Sequence, residues 1–122
     1  MTDRRIVTCF PLTGEQAELI QASADGFDVV VSSQESIAED IMEADIFCGH
    51  AKVPVDWKAV VEKGRLKWIQ SSAAGLDHCL TPPIIDSDIV VSGCSGLFAP
   101  QVAEQTMALL FGLIRDAVVE GE

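Results

Sequence analysis

An α/β fold, in which about five parallel strands are doubly wound by helices, is predicted by two features of the sequence. Short apolar, β-branched runs alternate with stretches of helical period, which is the pattern of parallel strands joined by crossover helices. The strand-like runs recur roughly every 20 residues, and each passes at its C-terminal end into a helix or a loop. A chain of 122 residues is long enough to bury one ordinary core and short for two. Residues 1–122 are therefore expected to form a single domain.

The first strand is read in RRIVTCF and the helix after it in TGEQAELIQASADG. Thr13 is placed to cap that helix, Gln16 has the spacing of its reciprocal partner in a capping box, and Gly26 ends the unit. FDVVVSS is apolar on both faces, as a buried parallel strand requires. In the helical SIAEDIMEA that follows, Ser36 and Glu39 repeat the capping-box spacing. DIFCGH is the third strand and leads through VPVD to the helix WKAVVEKG, which Gly64 stops. LKWIQSS and DIVVSG are the fourth and fifth strands, completing a doubly wound parallel sheet of the flavodoxin-like kind.

The last segment, APQVAEQTMALLFGLIRDAVV, predicts a long helix over residues 99–119, with Pro100 near its first position. It is apolar almost all round from Met107 to Ile114, and a sheet covers a helix on one side only. Its other side is expected to meet further protein. Asp116, Glu120 and Glu122 would oppose the helix dipole in a final turn, so the segment is expected to continue past Glu122.

Composition excludes several classes of function. Eight basic against 19 acidic side chains give a formal charge of -11, which repels nucleic-acid backbones and anionic membrane surfaces. The four cysteines are far apart, with no C-x-x-C pair, and read as reduced thiols in a cytoplasmic protein without a metal site. The acidic cluster Glu35, Glu39, Asp40, Glu43 and Asp45 reads as the solvated face of an amphipathic helix. No apolar run approaches the ~20 residues needed to span a bilayer, and a soluble protein is expected.

The stretch SSAAGLDHCL, residues 71–80, lies where the fourth strand should end. In an open α/β sheet that is where ligands bind. A positive φ at Gly75 would let the amides of Ala74, Gly75 and Leu76 converge on an anion. The alternative is an ordinary strand-to-helix turn in which Asp77 caps a short helix through His78, Cys79 and Leu80. His78 reads as a histidine satisfying a local hydrogen bond rather than a catalytic base.

LKWIQSSAAGLDHCLTPPI followed by IVVSGCSGLFAPQVAEQTMALLFGLIRD resembles the N-terminal, substrate-binding domain of the D-isomer-specific 2-hydroxyacid dehydrogenases. The likeness is strong over residues 66–116 and only topological over residues 1–65. It implies that the loop 73–78 holds a substrate carboxylate on main-chain amides, with Ala74, Gly75 and Leu76 as the substrate contacts. It further implies that Thr106 lies near the nicotinamide of the cofactor and that the helix 99–119 crosses between domains.

The family's coenzyme domain, with its G-x-G-x-x-G fingerprint and catalytic arginine, acid and histidine, has no counterpart in residues 1–122. Gly93 and Gly96 have the wrong spacing for the fingerprint. No catalytic residue is assigned, and the catalytic base is not carried onto His78. The resemblance thus implies the substrate half of an enzyme interconverting a 2-hydroxy acid and a 2-keto acid, with NAD or NADP bound in the complete enzyme and not tightly by this chain alone. The expected partners are the small acid and, through the helix 99–119, a second copy of the chain or the coenzyme domain. The competing expectation is a stand-alone, non-catalytic module of the same fold that binds a small carboxylate or a protein.

Overall fold

A computed structural model describes residues 3–115. Five parallel strands, β1 (Arg5–Cys9), β2 (Asp28–Val31), β3 (Ile46–Gly49), β4 (Trp68–Ser71) and β5 (Val90–Ser92), form one sheet in the order β2-β1-β3-β4-β5. The helices are α1 (Gly14–Ser23), α2 (Ile37–Asp40), α3 (Trp57–Lys63), α4 (Pro82–Ile85) and α5 (Ala99–Ile114), with a 3₁₀ turn at Ile41–Glu43. This is the flavodoxin-like α/β fold that the alternation predicts.

Register explains where the core lies. Val7, Phe47, Ile69 and Val91 stand side by side across β1, β3, β4 and β5, and the first three are fully buried. Ile37, Ile41, Trp57, Val60 and Ile84, from the helices and the 3₁₀ turn, belong to the same buried cluster. The row one residue back in each strand is Ile6, Ile46, Trp68 and Val90, and it points to the other face because side chains alternate along a strand. There Trp68 and Val90 remain exposed. A polar ladder runs beside them: Trp68 Nε1 donates to Ser92 Oγ at 2.8 Å, and Ser92 Oγ donates to Gln70 Oε1 at 2.6 Å.

Local signals succeed and fail for identifiable reasons. The capping box of α1 forms, with Gln16 N donating to Thr13 Oγ1 and Thr13 N donating to Gln16 Oε1. Gly26 ends the unit with a φ of 82°. The second predicted capping box does not form. Ser36 has helical backbone angles and makes no cap bond, because its hydroxyl is engaged by those of Ser32 and Ser33. The predicted second helix is accordingly shortened to α2 and the 3₁₀ turn. β2 is also a correction: it is the sheet's edge strand, half-buried with Val31 exposed, and not buried on both faces.

The acidic cluster is only partly a solvated face. Asp40 accepts from Ser32 Oγ, Asp45 accepts from Arg5 N and pairs with Arg65 at 3.2 Å, and Glu43 pairs with Arg5. Helix α5 differs most from expectation. The sheet covers neither side of it, no residue in it is buried, and Met107, Leu110, Phe111 and Ile114 are all exposed. Of the predicted helix 99–119, residues 116–119 lie outside the described residues. Among the described residues no helix is long and apolar enough to cross a membrane, and no three metal-ligating side chains form a cluster.

Candidate functional site

The strand order reverses between β1 and β3, and in such sheets the crevice beyond the carboxyl ends at that point is where ligands bind. A cavity of about 360 Å³ opens there, lined by residues 9–11 after β1, residues 32–34 after β2, His50 and Lys52 after β3, and Ser72 and Ala73 after β4. Gly49 allows the two central strands to meet at its edge. Its φ is 140°, and a Cβ there would fall on the Cys9 carbonyl.

Gln34 ties the cavity wall together. Its Nε2 donates to the His50 carbonyl at 2.8 Å and to Cys9 Sγ at 3.2 Å, while its Oε1 accepts from Lys52 N at 2.6 Å. One amide side chain therefore fixes the loop after β3 against the loop after β2. Burial raises the Cys9 thiol pKa, which keeps it a neutral packing group.

The two histidines meet at the strand ends. Their ring centroids are 4.0 Å apart, and His78 Nε2 lies 2.7 Å from the fully buried Ser71 Oγ. Burial lowers the His78 pKa, the neighbouring His50 lowers it further, and Asp77 pulls the other way. Its Nδ1 is buried without a hydrogen-bond partner among the described residues. The contact with the buried Ser71 is the local hydrogen bond that the sequence context of His78 predicts.

The loop 73–78 departs from expectation in its backbone. Gly75 does not take a positive φ; among the described glycines only Gly26, Gly49 and Gly96 do. Among the described residues Asp77 caps nothing either: the turn after it is closed by Cys79 N and Leu80 N, both donating to the Leu76 carbonyl. Nevertheless, the amides of Ala74, Gly75 and Leu76 donate to no protein acceptor among the described residues. Ala74 and Gly75 are exposed, and Leu76 is half-buried against the core. Three unspent donors thus sit one residue beyond the cavity wall at Ala73.

Comparison with known proteins adds the architecture to which this site belongs. No family model matches the sequence, and no curated relative does. Among solved structures, an acyclic imino acid reductase in complex with NADPH and D-Arg is 25% identical with a TM-score of 0.69, over 93% of this chain and 38% of that one. A phosphoglycerate dehydrogenase from Lactobacillus plantarum is 18% identical with a TM-score of 0.60, over 91% and 35%. The chain has a dehydrogenase-like fold. It spans little more than a third of the length of either of these structures.

Within that dehydrogenase-like fold, the described residues do not fit a nicotinamide dinucleotide. A Cβ at Gly93 would lie 2.8 Å from Leu76 Cδ2, so this glycine makes room for a leucine and not for a pyrophosphate. The turn after β1 carries bulky Phe10 and Pro11 in place of closely spaced glycines. Thr106 is exposed on α5, where its hydroxyl donates to the Val102 carbonyl at 2.7 Å, and it does not line the cavity. The sequence alone does not mark Gln34, His50, Lys52 or Gly49 as site residues. Only the position of His50 and Lys52 just after a strand could have drawn attention to them.

Proposed function

We propose that the chain is the substrate-binding portion of an NAD(P)-dependent oxidoreductase interconverting a 2-hydroxy acid and a 2-keto acid. The observation that carries this reading is the set of unspent amides on Ala74, Gly75 and Leu76, presented beside the cavity at the point where strand order reverses. Backbone N–H groups at a strand end are suited to a carboxylate, which accepts several hydrogen bonds at once. The similarity to an imino acid reductase favours the same grip, because an imino acid and a keto acid both carry an sp² carbon beside a carboxylate. In this reading NAD or NADP is held by protein outside residues 1–122. Helix α5 docks against that protein with Thr106 toward the nicotinamide, and the enzyme works in the cytoplasm.

The test is a titration of the ¹⁵N-labelled chain with pyruvate and with pyruvamide, its neutral amide. Saturable shifts of the Ala74, Gly75 and Leu76 amides with pyruvate alone are the expected result. Identical responses to both compounds, or none at these three amides, would rule out the carboxylate grip.

A further inference from the structure

The free edge of β2 is guarded by one side chain. β2 ends the sheet, and its backbone groups turn alternately toward β1 and toward open space. Asp28 N donates to the Arg4 carbonyl at 2.9 Å and Ser32 N to the Thr8 carbonyl at 2.8 Å, so Asp28, Val30 and Ser32 face β1 while Phe27, Val29 and Val31 face outward. Gln21 reaches across from α1 and stands in for a neighbouring peptide unit on that outward side. Its Nε2 donates to the Phe27 carbonyl at 3.2 Å, and its Oε1 accepts from Val29 N at 3.4 Å. Val31 N, by contrast, has no protein acceptor among the described residues.

Other common guards of a sheet edge are missing from the strand itself. Residues 27–31 contain no proline and no lysine, and the run of three valines in DVVV has high strand propensity. The edge is also complementary to itself. A two-fold antiparallel pairing about Val29 sets Val29 against Val29 of a second copy and Phe27 against Val31, apolar against apolar. Asp28 falls opposite Val30, so no like charges meet. The Phe27 N–H is already spent on the Ala24 carbonyl. Every main-chain bond left to that pairing therefore uses either the Val29 N–H or the Phe27 carbonyl, the two groups that Gln21 holds. We infer that the β2 edge is a strand-pairing surface for a second copy of this chain and that Gln21 is the latch that keeps it closed. Both Gln21 bonds are long and exposed to solvent, so losing them costs the fold little while freeing the edge. The surface uses neither α5 nor the loop 73–78.

The test uses the 122-residue chain carrying Leu110→Glu and Phe111→Glu, so that α5 adds nothing to association. Adding Gln21→Ala should tighten self-association about tenfold by sedimentation, the scale of the main-chain hydrogen bonds released for pairing. Hydrogen exchange should show the Val31 amide becoming protected as concentration rises. Val31→Pro should abolish the gain, because it removes an outward N–H and leaves the ladder to β1 whole. Val31→Lys should abolish it as well, with the backbone unchanged, as lysine does on natural sheet edges. Gln21 and Val31 are both exposed, so these replacements leave the core intact, and thermal melting of each variant checks this. Equal association with and without Gln21→Ala, whether weak or strong, would overturn the latch. A gain that survives either Val31 replacement in a folded chain would overturn the β2 edge as the pairing surface.

Discussion

The imidazoles of His50 and His78 lie face to face at the ends of adjacent strands, with centroids 4.0 Å apart and planes tilted by 32°. His50 borders the cavity, and His78 is hydrogen-bonded to Ser71. The pair has a direct consequence for stability against pH.

Burial and the neighbouring His50 depress the His78 pKa below its ordinary 6.5, against the opposing pull of Asp77. A depressed folded-state pKa means that the unfolded chain binds the proton more readily. The stability from this ring is present above about pH 6.5 and is lost as pH falls through the lowered folded value. Urea midpoints should therefore drop between pH 7.5 and 5.5, above the range where ordinary carboxylates titrate. In His78→Gln that drop should flatten. An equal drop in the variant would assign the pH dependence elsewhere.

Gly49 should tolerate no side chain. Its positive φ costs an L-residue about 1–2 kcal/mol, and overlap with the Cys9 backbone adds about 1–3 kcal/mol more. Gly49→Ala is expected to lower the unfolding free energy by about 3 kcal/mol, read from chemical denaturation. A loss under about 1 kcal/mol would mean that β1 and β3 separate easily at the cavity edge.

Gly75 should behave differently because its backbone is not left-handed. A Cβ there would meet only Asp77 Oδ1, at 3.2 Å. Gly75→Val is expected to change stability by less than about 1 kcal/mol while shielding the amides of residues 74–76. Pyruvate binding should weaken severalfold, measured by the same amide titration. Unchanged binding in a folded variant would remove these amides from the site.

These two glycines mark the boundary of what the sequence discloses. Strand count, the parallel arrangement and the Thr13–Gln16 cap are legible because they rest on periodicity or on contacts three residues apart. The same spacing at Ser36 and Glu39 misleads because a hydroxyl network with Ser32 and Ser33 competes for the capping group. The loop 73–78 is legible as a strand end, but the φ of its glycine is not. Gln34 is invisible altogether, since its partners lie 16 to 25 residues away and exist only once β1 and β3 have paired.

Helix α5 carries the last prediction. Over its 16 residues no side chain is buried, and Val102, Leu109, Leu113 and Ile114 join Met107, Leu110 and Phe111 in water. Each large apolar side chain gains about 1.5–3 kcal/mol on full burial, so covering even half of them outweighs much of the entropy lost on association. Without the protein proposed to dock here, a second copy is the nearest apolar surface, and a two-fold pairing of α5 helices buries both at once. Sedimentation velocity of the 122-residue chain should show a dimer at micromolar concentration. Leu110→Glu combined with Phe111→Glu should return it to a monomer without loss of folding, because both side chains are exposed and outside the core. A wild-type monomer throughout the high-micromolar range would mean that α5 finds cover within its own chain, and its exposure would then no longer argue for a docking partner.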